Sequence, residues 1–405
     1  MNLTGILPRN NHKIRIARVN RPRFLENHLK YRSLESFRGL AAILVAIYHS
    51  TFVVDYESNF VARSTIFVDF FFILSGFVIA FAYNDRIKDG FSFKQFFLLR
   101  FGRLYPLHFF ILLVWLLYVT AKSIAFHKFG IGALDPTGHN NIGSFFSNLL
   151  LINSLNVHDY LSWNFTAWSI SVEFFTYMIF FVCISLFRKV NDLVLCLFIS
   201  ALCYFILYIN NPDSLLKTYD WGLIRCLGGF FLGSAIYRIS QKITLKPSVL
   251  VATSAELLAL VLMLILVINS LTANYQLATF ASFGLVILVF SVQETGLLTK
   301  VLTIKPMLFL GALSYSIYMT HALIFKIFAG VGKKILEVPV KATNYEGGTT
   351  VFLVTPYANL INLLILLLII GLSYLTYRYV EIPWRDKFRK YAKNEPKLAA
   401  QSRTI

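Results

Sequence analysis

Ten stretches of the chain are apolar enough, and long enough, to cross a lipid bilayer as helices, which takes about 20 residues each. A shorter apolar stretch at about residues 143–153 predicts a re-entrant or interfacial helix instead. The pattern as a whole predicts an all-α polytopic membrane protein. The ten predicted spans lie at about residues 36–54, 65–83, 98–121, 166–187, 194–209, 221–238, 248–268, 275–292, 307–329 and 357–378.

Basic residues are distributed unevenly between the two sides of these spans. Ten spans place both termini on one side, and most of the loop arginines and lysines fall on that side as well. Because such residues accumulate on the cytoplasmic side of membrane proteins, both termini are predicted to be cytoplasmic. The predicted organisation is a basic cytoplasmic N-terminal tail at residues 1–33, a membrane domain at 34–389 and a basic cytoplasmic C-terminal tail at 390–405.

The composition agrees with a membrane protein, since 57% of the 405 residues are hydrophobic and only 14% are charged. The net charge of +18 does not indicate nucleic-acid binding, because the basic residues lie mostly in the tails and short loops and no zinc-finger or RNP motif accompanies them. The four cysteines lie in apolar stretches without a CxxC pair, which indicates buried side chains rather than metal ligands or disulfides.

Arg38 and His49 interrupt the first predicted span. Ionisable groups inside a membrane cost several kcal/mol unless they are paired or solvated, so they mark candidate functional cavities. The two residues are eleven positions apart, which puts them on one helix face with about 16 Å between them along the axis. Each also has a structural interpretation: Arg38 can reach lipid phosphates, and His49 can be a packed histidine. Their shared face favours two points on one path through the membrane.

Other polar residues lie in or near four later spans. Arg100 and Arg103 are three residues apart and suit a phosphate clamp, although they also fit simple anchoring on the cytoplasmic side. Glu173 lies several residues inside an apolar helix, which favours a functional role. No HxxxH or HExxH spacing accompanies either His49 or His321, so no metal site is predicted. The further candidates are Asp69, Ser75, Tyr105, Trp168, Ser171 and His321.

Seven segments, in order and spacing, resemble those of a known family: RGLAAILVAIYHS, VDFFFILSGFVIA, RFGRLYPLH, WSISVEFFTY, LIRCLGGFFLG, SYSIYMTH and YVEIPWR. The family they resemble is the acyltransferase-3 family of integral membrane acyltransferases, which acylate surface glycans such as O-antigens and exopolysaccharides. The resemblance runs from about residue 34 to 389. It implies that His49 is essential, that Arg38 helps to bind the donor, and that Arg100 and Arg103 contact acyl-CoA. Glu173 matches the acidic residue of the family's WSxSVE element.

The resemblance assigns no role to Asp69, His321 or Glu381, which remain additional candidates. The expected function is O-acyl transfer, most often acetyl transfer, from cytoplasmic acyl-CoA to a hydroxyl of an exported or lipid-linked glycan. His49 would be the general base, since a neutral imidazole with a pKa of about 6.5 can remove a hydroxyl proton at neutral pH. Arg38 and Glu173 complete the candidate catalytic residues, and Arg100, Arg103 and Tyr105 the donor-binding ones. A ping-pong route through an acylated residue is the alternative mechanism.

The expected location is the bacterial inner membrane, as a multi-pass protein in contact with membrane lipids. No permanently bound cofactor and no nucleic-acid partner are expected; acyl-CoA is a substrate. A transporter or flippase of a glycan-related substrate is the alternative function, because buried Arg, His and Glu side chains also build proton relays. Against it, the sequence contains no inverted repeat and no paired Gly/Pro-interrupted helices.

Overall fold

The computed structural model describes residues 31–50, 52–53, 59–130, 137–334, 338–345 and 348–394. Most of the two predicted basic tails therefore lies outside the described residues. The helices are α1 Arg32–Tyr48, α2 Asn59–Ala62, α3 Phe67–Lys88, α4 Phe93–Phe129, α5 Ile142–Leu149, α6 Trp168–Leu186, α7 Asp192–Asn210, α8 Gly222–Ser240, α9 Val249–Ile268, α10 Ala273–Val292, α11 Leu297–Leu302, α12 Lys305–Lys334, α13 Ala358–Thr376 and α14 Ile382–Asn394. The strands are β1 Phe52–Val53, β2 Val340–Tyr345 and β3 Gly348–Val354.

The prediction of an all-α polytopic membrane protein is confirmed. Among the described residues, nine helical segments are long and apolar enough to cross a membrane. A helix also occupies the first predicted span, but α1 has only 17 residues and ends at Tyr48 rather than near residue 54. The predicted extension was wrong because the chain turns after His49 and enters a small sheet, in which β1 runs parallel to β3. Apolar residues alone do not distinguish such a strand from the end of a helix.

The sheet was not foreseen in the sequence. β3 lies in its centre, parallel to β1 and antiparallel to β2, and Phe52 is paired with Leu353. Phe52 and Leu353 are buried in the same apolar cluster as residues of α1, α12 and α13. The sheet therefore closes the bundle beside the end of α1, directly after His49.

Close packing between glycines fixes how α1 lies against α12. A Cβ atom on Gly39 would collide with the backbone of Gly311, and a Cβ atom on Gly311 would collide with the backbone at Glu35. Small residues at such a crossing let two helices approach until their backbones touch. This contact aligns the two helices so that their later residues, including His49 and His321, lie side by side.

The short helix predicted near residues 143–153 is α5. It begins with a capping box, in which the side chain of Asn141 accepts a hydrogen bond from the Ser144 amide and the Ser144 hydroxyl accepts one from the Asn141 amide. A π-helical stretch, Tyr377–Glu381, joins α13 to α14. Such stretches widen a helix locally and often occur at functional sites. This one carries the buried Glu381.

Candidate active site in the membrane bundle

His49 and His321 form a contact that the sequence alone did not predict. Nε2 of His321 lies 3.3 Å from Nδ1 of His49, and the two ring centroids are 5.1 Å apart. His321 is fully buried in α12, whereas His49 is only partly buried at the end of α1. Phe165 lies against the His49 ring at 5.2 Å between centroids. In this pair, His321 is inaccessible from outside the protein, whereas His49 remains partly accessible.

The hydrogen bonds around this pair favour one tautomer for each ring. Nδ1 of His321 lies 3.1 Å from the carbonyl oxygen of Ile317, so this nitrogen carries the proton and Nε2 offers a lone pair. Nδ1 of His49 then faces two acceptors, His321 Nε2 and the Val45 carbonyl oxygen at 2.9 Å. A proton on His49 Nδ1 is shared between these two acceptors, whereas a lone pair there would face both of them. Nε2 of His49 is consequently unprotonated, which is the form that a general base requires.

A second polar group, which we call the arginine cluster, contains Arg38, Arg100, Arg103, Arg385 and Glu381. Arg103 donates to Glu381, whose side chain is 1% exposed, and the Ser316 hydroxyl donates to the other Glu381 oxygen at 3.2 Å. Arg38 and Arg385 both lie close enough to Arg103 to repel its guanidinium. Arg385 is also 3.9 Å from Glu381. One carboxylate therefore faces several guanidinium groups.

Two arginines of this cluster, Arg38 and Arg100, have no carboxylate partner among the described residues. Arg100 donates to the hydroxyl of Tyr83 at 2.9 Å, and its buried Nε has no hydrogen-bond partner within the described part of the chain. Neither Arg100 nor Arg38 forms an ion pair with any described carboxylate. Guanidinium groups that lack a protein carboxylate are suited to hold phosphate oxygens.

Glu173 lies next to the arginine cluster rather than beside His49. One of its oxygens accepts hydrogen bonds from Ser75 and Tyr177, both at 2.6 Å. The Arg100 guanidinium carbon lies 5.8 Å from the centre of the Tyr177 ring. Across the described residues, His49 and Glu173 share no hydrogen bond. The suggestion that Glu173 orients His49 therefore has no support in this geometry, and His321 occupies that position instead.

Helix α12 connects the arginine cluster to the histidine pair. Ser316 contacts Glu381, and His321 follows five residues later, which corresponds to about 7–8 Å along the helix axis. Arg38 and His49 connect the same two groups along α1. The two groups thus lie at successive depths of one bundle, consistent with the predicted path between Arg38 and His49.

Three other predicted residues, Asp69, Trp168 and Ser171, lie outside both groups. Asp69 forms a bidentate ion pair with Arg225, with nitrogen–oxygen distances of 2.9 and 2.7 Å, and both side chains are buried. Trp168 lies under the same guanidinium at 5.1 Å. The Ser171 hydroxyl donates to the Leu151 carbonyl. These contacts hold helices and loops together, and they bring none of the three side chains to His49.

Tyr105 was predicted with the donor-binding arginines, but its hydroxyl donates to the Leu149 carbonyl at 3.0 Å and thus contacts α5. Its ring stacks on Phe101 and Phe109 along α4. Tyr105 follows Arg100 by five residues and Arg103 by two, spacings that point side chains to different sides of a helix. The hydroxyl of Tyr105 is thus used in the contact with α5, and its role in donor binding stays a prediction.

The structure also adds residues that the sequence analysis did not select. Tyr177 and Arg385 belong to quoted motifs and lie four residues after the candidates Glu173 and Glu381, which was a usable signal. Ser316 also belongs to a quoted motif, but its spacing from His321 gave no such signal, and Phe165 and Lys326 had none. The described residues include no cluster of three or more His, Cys, Asp or Glu side chains suited to a metal ion.

Comparison with protein families agrees with this arrangement. The acyltransferase domain family model, Acyl_transf_3, matches residues 31–378, which include α1 to α13. The match therefore contains the histidine pair and three members of the arginine cluster, Arg38, Arg100 and Arg103, whereas Glu381 and Arg385 lie just beyond it. The chain belongs to the acyltransferase-3 family. The predicted resemblance is confirmed, and a multi-pass membrane acyltransferase fold accounts for ionisable side chains at two depths of an apolar bundle.

Two curated relatives show how far this similarity extends. Protein 2 in the picA locus of Rhizobium radiobacter is 41% identical over 76 residues, which is 18% of this chain and 38% of that protein. The peptidoglycan O-acetyltransferase OatA of Listeria monocytogenes serovar 1/2a is 27% identical over 314 residues, 71% of this chain and 48% of OatA. The chain thus spans less than half the length of either relative. No solved structure matches the chain.

Proposed function

We propose that this acyltransferase-3 protein transfers an acyl group, most often acetyl, from acyl-CoA to a hydroxyl group of an exported or lipid-linked glycan. The observation that carries the proposal is the His49–His321 contact, which leaves His49 Nε2 unprotonated inside the bundle. The name of OatA, a peptidoglycan O-acetyltransferase, supports a carbohydrate acceptor and an acetyl group. The proposed location is the bacterial inner membrane, with both termini in the cytoplasm.

In the proposed reaction, Nε2 of His49 removes the proton of the sugar hydroxyl while the hydroxyl oxygen attacks the thioester carbonyl. A new C–O bond forms, the C–S bond breaks, and the imidazolium returns its proton to the departing thiolate. His321 stabilises this imidazolium, because its Nε2 lone pair accepts the Nδ1 proton of His49 throughout. The products are the sugar ester and free CoA. Direct transfer of this kind needs no acylated residue.

The arginine cluster is the proposed site for the phosphates of the donor. Arg38 and Arg100 have charge that no described carboxylate neutralises, and Arg100 also has an unused Nε–H. The pantetheine arm is long and mostly uncharged, so it suits an apolar path between helices of the bundle toward His49. Arg103, in contrast, already pairs with Glu381, and we propose that it shapes the cluster rather than binding the donor alone.

The direct test is expression of the gene in a bacterial host that lacks it, followed by NMR and mass spectrometry of the purified surface glycans. New O-linked acyl groups on a glycan are expected, and their mass identifies the acyl group. If membranes that contain the protein carry no new glycan ester while acetyl-CoA still alters its thermal stability in detergent, the acceptor class is wrong. If neither effect occurs, the transporter alternative is favoured.

Replacement of Arg100 with glutamine is expected to raise the KM for acetyl-CoA about 10- to 100-fold with little change in kcat. A charge-assisted hydrogen bond contributes about 1.5–3 kcal/mol, and this contribution is the same before and during the chemical step. The measurement is steady-state release of CoA thiol by the purified protein with a glycan acceptor. Arg188→Gln, which removes an exposed arginine after α6, is the control and should leave KM unchanged.

A further inference from the structure

Lys326 is a cation next to the histidine pair, on the side away from the arginine cluster. It follows His321 on α12 by five residues, and its ammonium lies 5.5 Å from the ring centre of Trp115 and 5.4 Å from that of Phe165. Phe165 also contacts the His49 ring. The proposed base and this ammonium therefore share one aromatic neighbour.

The surroundings of Lys326 contain hydrogen-bond donors without acceptors. Trp115 is only 2% exposed, and its indole N–H has no hydrogen-bond partner among the described residues. Lys122 lies two turns beyond Trp115 on α4, with its ammonium 5.6 Å from the ring centre of Tyr118. In the part of the chain that the structure describes, no carboxylate pairs with either lysine.

A structural explanation for Lys326 is that its ammonium simply reaches toward lipid headgroups. Lys326 as a whole is exposed, but its ammonium lies over the buried ring of Trp115 and beside Phe165, which favours a group bound at this site over a lipid headgroup. Stacking on aromatic rings stabilises the cation but satisfies none of its three N–H donors with an acceptor atom, so these remain for another group. An anion at this position would neutralise Lys326 and accept the nearby unpaired N–H donors.

We propose that Lys326 binds a carboxylate of the acceptor, so that the protein selects glycans with acidic sugars and holds their hydroxyl at His49. This rests on the proposed acyl transfer to a glycan. Two features favour a sugar carboxylate: the ammonium and the indole N–H can each bond one carboxylate oxygen, and the partly buried ring of Phe165 offers an apolar face for the C–H side of a sugar. Lys326 is then a specificity residue, and it touches substrate rather than the reacting atoms.

The test compares two probes that differ only in charge. One is a fluorescent tetrasaccharide of alternating glucuronic acid and N-acetylglucosamine, and the other is the same tetrasaccharide after reduction of its carboxyl groups to neutral alcohols. Binding to the purified full chain in phosphatidylcholine nanodiscs is measured by microscale thermophoresis. The acidic probe is expected to bind about tenfold more tightly than the neutral one, a difference of about 1.4 kcal/mol.

Lys326→Gln is expected to remove this preference by weakening the acidic probe alone, whereas Lys326→Arg should retain part of it. Lys128→Gln, which removes an exposed lysine near the end of α4, should retain all of it. Equal binding of both probes by the unmodified chain, or a preference that survives Lys326→Gln, would overturn the proposal. A loss of the preference when phosphatidylglycerol is added to the discs would also overturn the proposal, because Lys326 would then bind the anionic headgroup of a lipid.

Failure of the proposed function has a different signature. The binding assay requires no turnover, whereas acyl transfer is followed separately by the appearance of glycan esters. Charge-selective binding without any glycan ester would reject acyl transfer but keep the anion site. Glycan esters that form equally well on acidic and neutral acceptors would reject the anion site but keep the enzyme.

Discussion

Replacing His49 with alanine is expected to lower the rate of acyl transfer by about 10²- to 10⁴-fold, the range that a positioned general base contributes. A sugar hydroxyl is a weak nucleophile, and the described residues near His49 offer one other imidazole, His321, whose accessible lone pair already faces His49. Loss of the ring leaves that lone pair buried without its donor. The donor site should be unaffected, because Arg38 and Arg100 lie at another depth.

The measurement is the amount of glycan ester formed per unit of protein, with membrane levels of each variant matched by quantitative blotting. His127→Ala removes a histidine from the exposed end of α4 and is the matched control, with activity expected to stay unchanged. Retained binding of acetyl-CoA by His49→Ala, seen as a shift in melting temperature, would show that the fold and the donor site persist. Normal ester formation by this variant would disprove the assignment of His49 as the base.

A separate mass measurement distinguishes direct transfer from the ping-pong alternative. Incubation of the unmodified chain with acetyl-CoA alone, followed by intact-mass analysis, should show no acetylated protein if transfer is direct. A stoichiometric acetyl adduct that disappears when glycan is added would establish a covalent intermediate. In that case the adduct position, rather than the His49 lone pair, would define the nucleophile.

Replacing Asp69 with leucine is expected to destabilise the protein by about 3–5 kcal/mol, the usual cost of leaving one member of a buried ion pair without its partner. Arg225 is 2% exposed and stays fixed by the Lys217 carbonyl and the Trp168 ring, so it has no route to water. The double variant Asp69→Leu with Arg225→Leu should recover much of the loss, because no uncompensated charge remains.

Melting temperature in detergent is the measurement for this series. Asp85→Leu is the comparison, since Asp85 also pairs with an arginine, Arg238, but its side chain is 71% exposed. An exposed pair contributes about 0–1 kcal/mol, so this variant should melt close to the unmodified chain. A small effect of Asp69→Leu, equal to that of Asp85→Leu, would mean that water reaches Arg225 and that the pair is not buried.

The structure has a helix in each predicted span, because each such helix depends on local composition. An apolar run of about 20 residues satisfies its backbone only as a helix in a bilayer, so the run itself specifies the span. The prediction failed where the backbone pairs with a distant part of the chain. α1 stops at Tyr48 because the following residues pair with β3, some 300 positions away in sequence, and such pairing leaves no trace in the local pattern.

The family resemblance was also available from the sequence, since ordered motifs survive as strings of residues. The membership that it implied is confirmed, whereas the roles of His49, Arg38 and Glu173 remain predictions. For Glu173 the sequence indicated an unusual acidic residue but not its partner. The structure provides Ser75 and Tyr177, and this result shifts the orienting role at His49 to His321.

What the sequence determined by itself, then, is which side chains enter the membrane and at roughly what depth, because hydropathy and helical rise are properties of consecutive residues. Only the tertiary structure decided which of them meet. Asp69 and Arg225 are 156 residues apart and His49 and His321 are 272 apart, and each contact depends on how whole helices cross. Crossings such as that of Gly39 with Gly311 are set by shape and close packing, which only the folded chain contains.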